Sequence, residues 1–113
     1  VVPPTAPEVC PLDSLAIEAM PGSATSAPVV VVFRNEASTR CEVDLGRAWA
    51  DAYDVEPSAW LAPGAEAELW GEGRACAAGQ TAEWPLTVNG EAVTLALPTG
   101  APCDVVPVAF FPR

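Results

Sequence analysis

The chain has 113 residues, of which 50% are hydrophobic and 13 are proline, so it can form one domain with one core and is not expected to be disordered. Fifteen acidic residues against five basic ones give a net charge of −10, and lysine and histidine are both absent. Phosphate backbones and anionic lipids are bound by clustered basic residues, so neither is an expected partner. The basic residues are scattered singly, as Arg34, Arg40, Arg47, Arg74 and Arg113.

No apolar run approaches the roughly 18–20 residues of a membrane span, so the sequence predicts no transmembrane segment. It also lacks a basic stretch followed by an apolar one, so any export signal is expected to lie outside these residues. Residues 1–11 contain four prolines and are predicted to form an extended tether, and residues 12–113 a single domain.

Four cysteines are widely and evenly spaced, at Cys10, Cys41, Cys76 and Cys103. Without histidine or a C-x-x-C pair, a metal site is a weak interpretation, and two disulfides in an oxidising, extracytoplasmic compartment are predicted instead. Three pairings are open. The favoured one is Cys10–Cys41 with Cys76–Cys103, because each pair joins sequence neighbours that flank predicted strands.

The first half of the domain is expected to contain three strands. Leu12–Met20 alternates loosely and predicts a half-buried strand closed by a turn at Pro21-Gly22-Ser23. Val29–Phe33 is an unbroken β-branched run, typical of a central strand buried on both faces, and residues 34–36 are expected to break it. Arg40–Leu45 follows as a short return strand.

Residues 46–60 stay open between strand, helix and loop. Within them, residues 48–53 alternate Trp49, Asp51 and Tyr53 against alanines, which predicts a strand, with a helix as the competing interpretation because alanine favours helices. Two clearer strands follow at Ala65–Trp70 and Ala82–Val88.

The strongest local signal is Asn89-Gly90, which predicts a tight type I′ hairpin because alternating apolar residues flank it on both sides. Val105–Phe111 supplies a last strand. Seven or eight short antiparallel strands, with Phe33, Trp70 and Trp84 as core aromatics, predict an all-β sandwich with two disulfides.

Several motifs together resemble an actinobacterial family of exported and lipid-anchored domains of unknown function. They are the opening Cys10-Pro-Leu-Asp-Ser-Leu15, the strand Val29–Asn35 with Cys41 six residues later, Leu61-Ala-Pro-Gly64 before Ala65–Trp70, then Cys76 and a closing hairpin ending at Cys103. The resemblance implies an immunoglobulin-like β-sandwich at the cell envelope, often behind a lipidated or signal-peptide N-terminus. It implies no chemistry.

Catalytic residues are not recognisable. A serine nucleophile ordinarily needs a nearby base such as histidine, and Gly71-Glu72-Gly73 places a carboxylate where a phosphate would bind. Two acidic groups, Asp51 with Asp54 and Glu56, and Glu66 with Glu68, are expected to be solvated surface residues. The first group could offer oxygen ligands to calcium but lacks the EF-hand spacing. No enzyme activity, metal or cofactor is therefore predicted.

The predicted function is a non-enzymatic, exported interaction or accessory domain of the cell envelope, such as the soluble part of a lipoprotein. Its expected partner is an envelope protein or a cell-wall component, with any lipid anchor outside these residues, and it is expected to be a monomer. The alternative is a small-ligand or carbohydrate-binding module in which Trp49, Tyr53 and Trp60 form an aromatic surface. Solvent exposure of these rings would favour the alternative.

Overall fold

The computed structural model describes residues 9–24 and 27–113, and within them the chain is all-β, as predicted. Residues 1–8 of the predicted tether lie outside this description. Eight strands, one short α-helix and one 3-10 turn are described. They are the 3-10 turn Leu12–Ser14, β1 Leu15–Ala24, β2 Ala27–Asn35, β3 Cys41–Asp44, α1 Arg47–Tyr53, β4 Ser58–Leu61, β5 Glu66–Arg74, β6 Glu83–Val88, β7 Glu91–Ala96 and β8 Cys103–Pro112.

The largest sheet has four antiparallel strands in the order β1-β2-β5-β8. Its inner face is set by the alternation of β2, whose Val29, Val31 and Phe33 are fully buried. Leu69 of β5 lies opposite both Val31 and Phe110, so one apolar row crosses three strands. The predicted central position of the 29–33 strand is confirmed by this order.

A second layer of two separate two-stranded antiparallel ladders, β3–β4 and β6–β7, covers that inner face. Val43 and Leu61 from the first ladder, and Trp84 and Val88 from the second, join the same buried cluster as the large sheet. Alternation explains this packing, because every second residue of β6 is buried and the residues between are exposed. The arrangement is sandwich-like, with the core between the layers.

The predicted ends of the first two strands were wrong. Leu12–Ser14 forms a 3-10 turn, and β1 continues through the expected turn at Pro21 to Ala24 with an irregular register. β2 likewise extends through Asn35, since the side chain of this residue supplies the hydrogen bonds that the next loop needs. Its amide donates to the carbonyl oxygens of Thr39 and Leu61 at 2.9 Å, and its oxygen accepts from Ala37 N.

Residues 47–53 form a helix, so the predicted strand was wrong and the competing interpretation correct. Trp49 and Tyr53 are four residues apart and therefore share one helix face. The helix ends at Tyr53, and its C-cap residue Asp54 has left-handed φ and ψ of 55° and 47°. The following strand β4 was not predicted.

Both predicted disulfides, Cys10–Cys41 and Cys76–Cys103, are present, and no free cysteine remains in the described residues. The first attaches the start of the domain to β3, next to an isolated bridge between Val9 and Glu42. The second ties the segment after β5 to the first residue of β8. No helix among residues 9–24 and 27–113 has the length and hydropathy needed to cross a membrane.

Candidate functional site

The three aromatic residues predicted to form a binding surface lie on two different elements. Trp49 and Tyr53 are on α1, where their rings meet edge to face with centroids 6.0 Å apart and planes inclined by 61°. Trp49 is half-buried against the core, whereas Tyr53 is 44% exposed. The pair therefore presents one largely exposed ring and one half-buried ring, and not two coplanar faces.

Trp60 lies on the outer face of the β3–β4 ladder and is 42% exposed. The guanidinium carbon of Arg40 lies 5.0 Å from its ring centroid, which is cation–π geometry. Val9, at 43% exposure, and Trp60 are both paired with Glu42, so the three residues form one row across this ladder.

The acidic residues after α1 face an apolar stretch of β8 across a shallow groove of about 350 Å³. Asp54 and Glu56 line one side, and Val108 and Phe111 line the other. Val108 is the extra residue of a β-bulge, since Trp70 pairs with Ala109 while Gly71 pairs with Pro107. The bulge leaves Val108 40% exposed, so a branched apolar side chain lies open beside two carboxylates.

Predicted core residue Trp70 lies elsewhere, on the outer face of the four-stranded sheet. It is only half-buried and packs edge to face on Phe111, with ring centroids 5.2 Å apart. Its indole Nε1 donates to Glu68 Oε1 at 3.1 Å. The prediction was wrong because alternation gives the two faces of a strand without indicating which one is covered.

Glu66 and Glu68, proposed from sequence as an acidic pair, are held by Arg113. Its Nη1 lies 2.7 Å from Glu66 Oε1 and its Nε 2.6 Å from Glu68 Oε2. The hydrogen bond from Arg113, followed by that from Trp70, lowers the pKa of Glu68 below its ordinary value of 4.5. Both bonds favour the charged form of the Glu68 carboxylate, so Glu68 is held as an anion that ties the end of the chain to the sheet surface.

No group of three or more potential metal-ligating side chains is brought together in the described residues. The calcium ligands considered above, Asp51, Asp54 and Glu56, do not converge. Asp51 is instead the i+4 partner of Arg47, at 4.0 Å.

A larger cleft, of about 660 Å³, lies beside the second disulfide. The loops before β6 and after β7 line it, and its polar side chains are uncharged. Sequence reasoning missed this cleft, since its lining residues have no pattern beyond ordinary loop composition. They are Pro28, Gly73, Ala75, Cys76, Gln80, Thr81, Ala82, Leu97, Pro98, Thr99, Gly100, Ala101 and Pro102.

Comparisons of the chain with protein-family models, with curated proteins and with solved structures gave no match.

Proposed function

We propose that this chain is an exported, non-enzymatic interaction domain that binds a protein or a cell-wall component at the cell envelope. The two disulfides support the extracytoplasmic part of this proposal, because such bonds persist in oxidising compartments and are rare in the cytosol. The motif resemblance to envelope domains supports the same placement.

The observation that carries the interaction role is the distribution of exposed apolar side chains. The large hydrophobic residues with high exposure in the described part of the chain are Val9, Tyr53, Trp60 and Val108. They belong to neighbouring elements, because β8 contacts both α1 and β4, β4 pairs with β3, and Val9 bridges to β3. We call these four residues the α1-side residues. Exposed apolar side chains on neighbouring elements are typical of contact sites.

Charge indicates which partners this region favours. Asp54 and Glu56 adjoin Val108, and the whole chain carries a net charge of −10. A partner with a basic or neutral contact surface is therefore favoured over an acidic one.

Carbohydrate binding is the second candidate, since Tyr53 and Trp60 are both more than 40% exposed. Aromatic rings bind sugars through their flat faces, but one face of Trp60 is occupied by Arg40 and Tyr53 meets Trp49 at an angle. A single exposed ring face would give weak binding to one sugar residue.

The test compares the wild-type domain with Trp60→Ala and Tyr53→Ala for binding to purified cell-wall polysaccharide and to envelope proteins captured by cross-linking. Thr94→Ala, at an exposed position of β7, is the matched control. Partner binding should fall in the two aromatic variants and persist in the control. Equal binding by all four proteins would contradict a role for the α1-side residues, and binding of polysaccharide alone would favour the second candidate.

A further inference from the structure

Asn89, the first residue of the hairpin turn, fastens three separate segments of the domain. Its backbone N–H donates to Asp44 O at 2.8 Å, and its side-chain Oδ1 accepts from Asp44 N at 2.7 Å. Its Nδ2 donates to the carbonyl oxygen of Cys10 at 2.6 Å. This single side chain therefore links the β6–β7 turn to the end of β3 and to the first disulfide, and we call it the Asn89 latch.

An asparagine followed by glycine is also chemically reactive, because glycine offers no side chain to hinder its backbone nitrogen. The nitrogen of Gly90 can attack Cγ of Asn89, which forms a C–N bond, breaks the Cγ–Nδ2 bond and releases ammonia with the proton lost by Gly90. Water then adds to either carbonyl carbon of the resulting succinimide. The products are aspartate or isoaspartate at position 89, and water is the only other reactant.

The folded turn opposes this reaction. Asn89 and Gly90 have φ of 51° and 83°, as a type I′ turn requires. In the left-handed region ψ is about 47°, which places the next nitrogen on the far side of the Cα–C bond from Cβ. Ring closure needs that nitrogen beside Cβ. The ψ angle of Asn89 would therefore have to rotate by more than a right angle, and both side-chain hydrogen bonds of the latch would have to break.

We propose that Asn89 is a modification site at which deamidation leaves a lasting record that the hairpin has opened. While the hairpin is closed, Asn89 persists. Once the hairpin opens, Asn89 deamidates, and the product cannot refasten the latch, since a carboxylate has no N–H to donate to Cys10 O and would face that oxygen as a second acceptor. Isoaspartate would also lengthen the backbone of the turn. Opening is thereby converted into a lasting loss of the contact that joins the β6–β7 ladder to the β3–β4 ladder and to Cys10.

The first test incubates the oxidised native protein and its reduced, alkylated and urea-unfolded form in the same mildly alkaline buffer. Peptide mapping by mass spectrometry follows aspartate and isoaspartate at position 89. Deamidation should be at least about tenfold slower in the native protein, which corresponds to an opening free energy of at least about 1.4 kcal/mol. Asn35, the other asparagine, precedes Glu36 and serves as the reference for a slow site. Equal rates at Asn89 in the two forms would overturn the proposal.

The second test separates the latch from the turn. Asn89→Gly keeps a residue that accepts positive φ but removes the latch, and Asn89→Asp reproduces one product of the reaction. Both variants should melt at a lower temperature than the wild type. If both melt at the wild-type temperature, deamidation has no structural consequence and the proposed record of opening is overturned.

Discussion

Gly71 is a packing residue in the middle of β5, beneath a ring of the core. A Cβ atom at this position would lie 2.7 Å from Cη2 and Cζ3 of Trp84 and 2.6 Å from Cγ1 of Val105. The indole therefore needs the bare backbone of β5 in order to be buried. From sequence, Gly71-Glu72-Gly73 could be judged only as an unsuitable phosphate-binding loop. In the structure, Gly71 in this run leaves room for the buried Trp84 ring.

Gly71→Ala should lower the free energy of unfolding by about 1–3 kcal/mol, because the added methyl group overpacks a well-filled core. Chemical denaturation measures the loss. The same substitution in a Trp84→Leu background should cost less, since the smaller side chain relieves the contact. An equal cost in both backgrounds would show that the indole is not what excludes a side chain at position 71.

Glu68 supports a pH-dependent prediction, since Arg113 and Trp70 hold its pKa below 4.5 in the folded chain. A lowered folded pKa stabilises the fold above the ordinary value, and this contribution is lost as the pH falls through the lowered pKa. The stability difference between the wild type and Glu68→Gln should therefore be largest at neutral pH and shrink below about pH 4.5. Glu83→Gln, at an exposed position of β6, is the control. A difference that is constant from pH 7 to pH 3 would contradict the role of the ion pair.

Residue patterns predicted which side chains share a face better than they predicted burial. Trp84 and Trp70 both occupy regular positions in alternating strands, yet Trp84 is 2% exposed and Trp70 is half-buried on the outer face. Alternation is a property of one strand, whereas coverage depends on which face the other layer occupies. The role of Asn89 was missed for the same reason: its turn geometry is local, but its partners lie 45 and 79 residues away.

At the scale of elements, the β6–β7 hairpin was the most secure prediction and gives the sharpest mutation. Gly90 has φ of 83°, which a β-branched residue strongly disfavours. Gly90→Val should therefore lower the free energy of unfolding by at least about 1–2 kcal/mol. Glu91→Val is the matched control, because the next position is an exposed strand residue that suits valine. Equal melting temperatures for the two variants would show that the turn is not constrained at Gly90.

The region from Gly46 to Leu61 could not be predicted from its pattern. Residues 47–53 carry aromatic side chains at positions 49 and 53. This spacing fits a strand, in which alternate residues share a face, and it also fits the i,i+4 spacing of a helix, which is the structure that α1 adopts. The strand β4 that follows is only four residues long, from Ser58 to Leu61, too short for a periodic signal. The bulge at Val108 has no local sequence signature either, so the groove beside Asp54 and Glu56 could not have been anticipated.

At the scale of the whole molecule, the two disulfides close loops of similar length but hold different parts of the fold. They join residues 31 and 27 positions apart, so a chain-entropy model gives each roughly 3–4 kcal/mol of stabilisation. Cys10 and Cys41 are both buried in the core, at 1% and 2% exposure. Cys76 is only half-buried and lines the larger cleft.

Replacing each pair by alanines should therefore destabilise the domain unequally. Loss of Cys10–Cys41 removes loop-closure entropy, leaves a cavity in the core and releases the carbonyl oxygen to which Asn89 donates. Loss of Cys76–Cys103 removes a similar entropy term, but Cys76 lines the cleft and Cys103, although 1% exposed, lies outside the main buried cluster to which Cys10 and Cys41 belong. Urea denaturation of the two double variants should give the lower free energy of unfolding for Cys10→Ala/Cys41→Ala. The reversed order would show that the Cys76–Cys103 bridge contributes more to the stability of the domain than the bridge and the packing around Cys10 and Asn89.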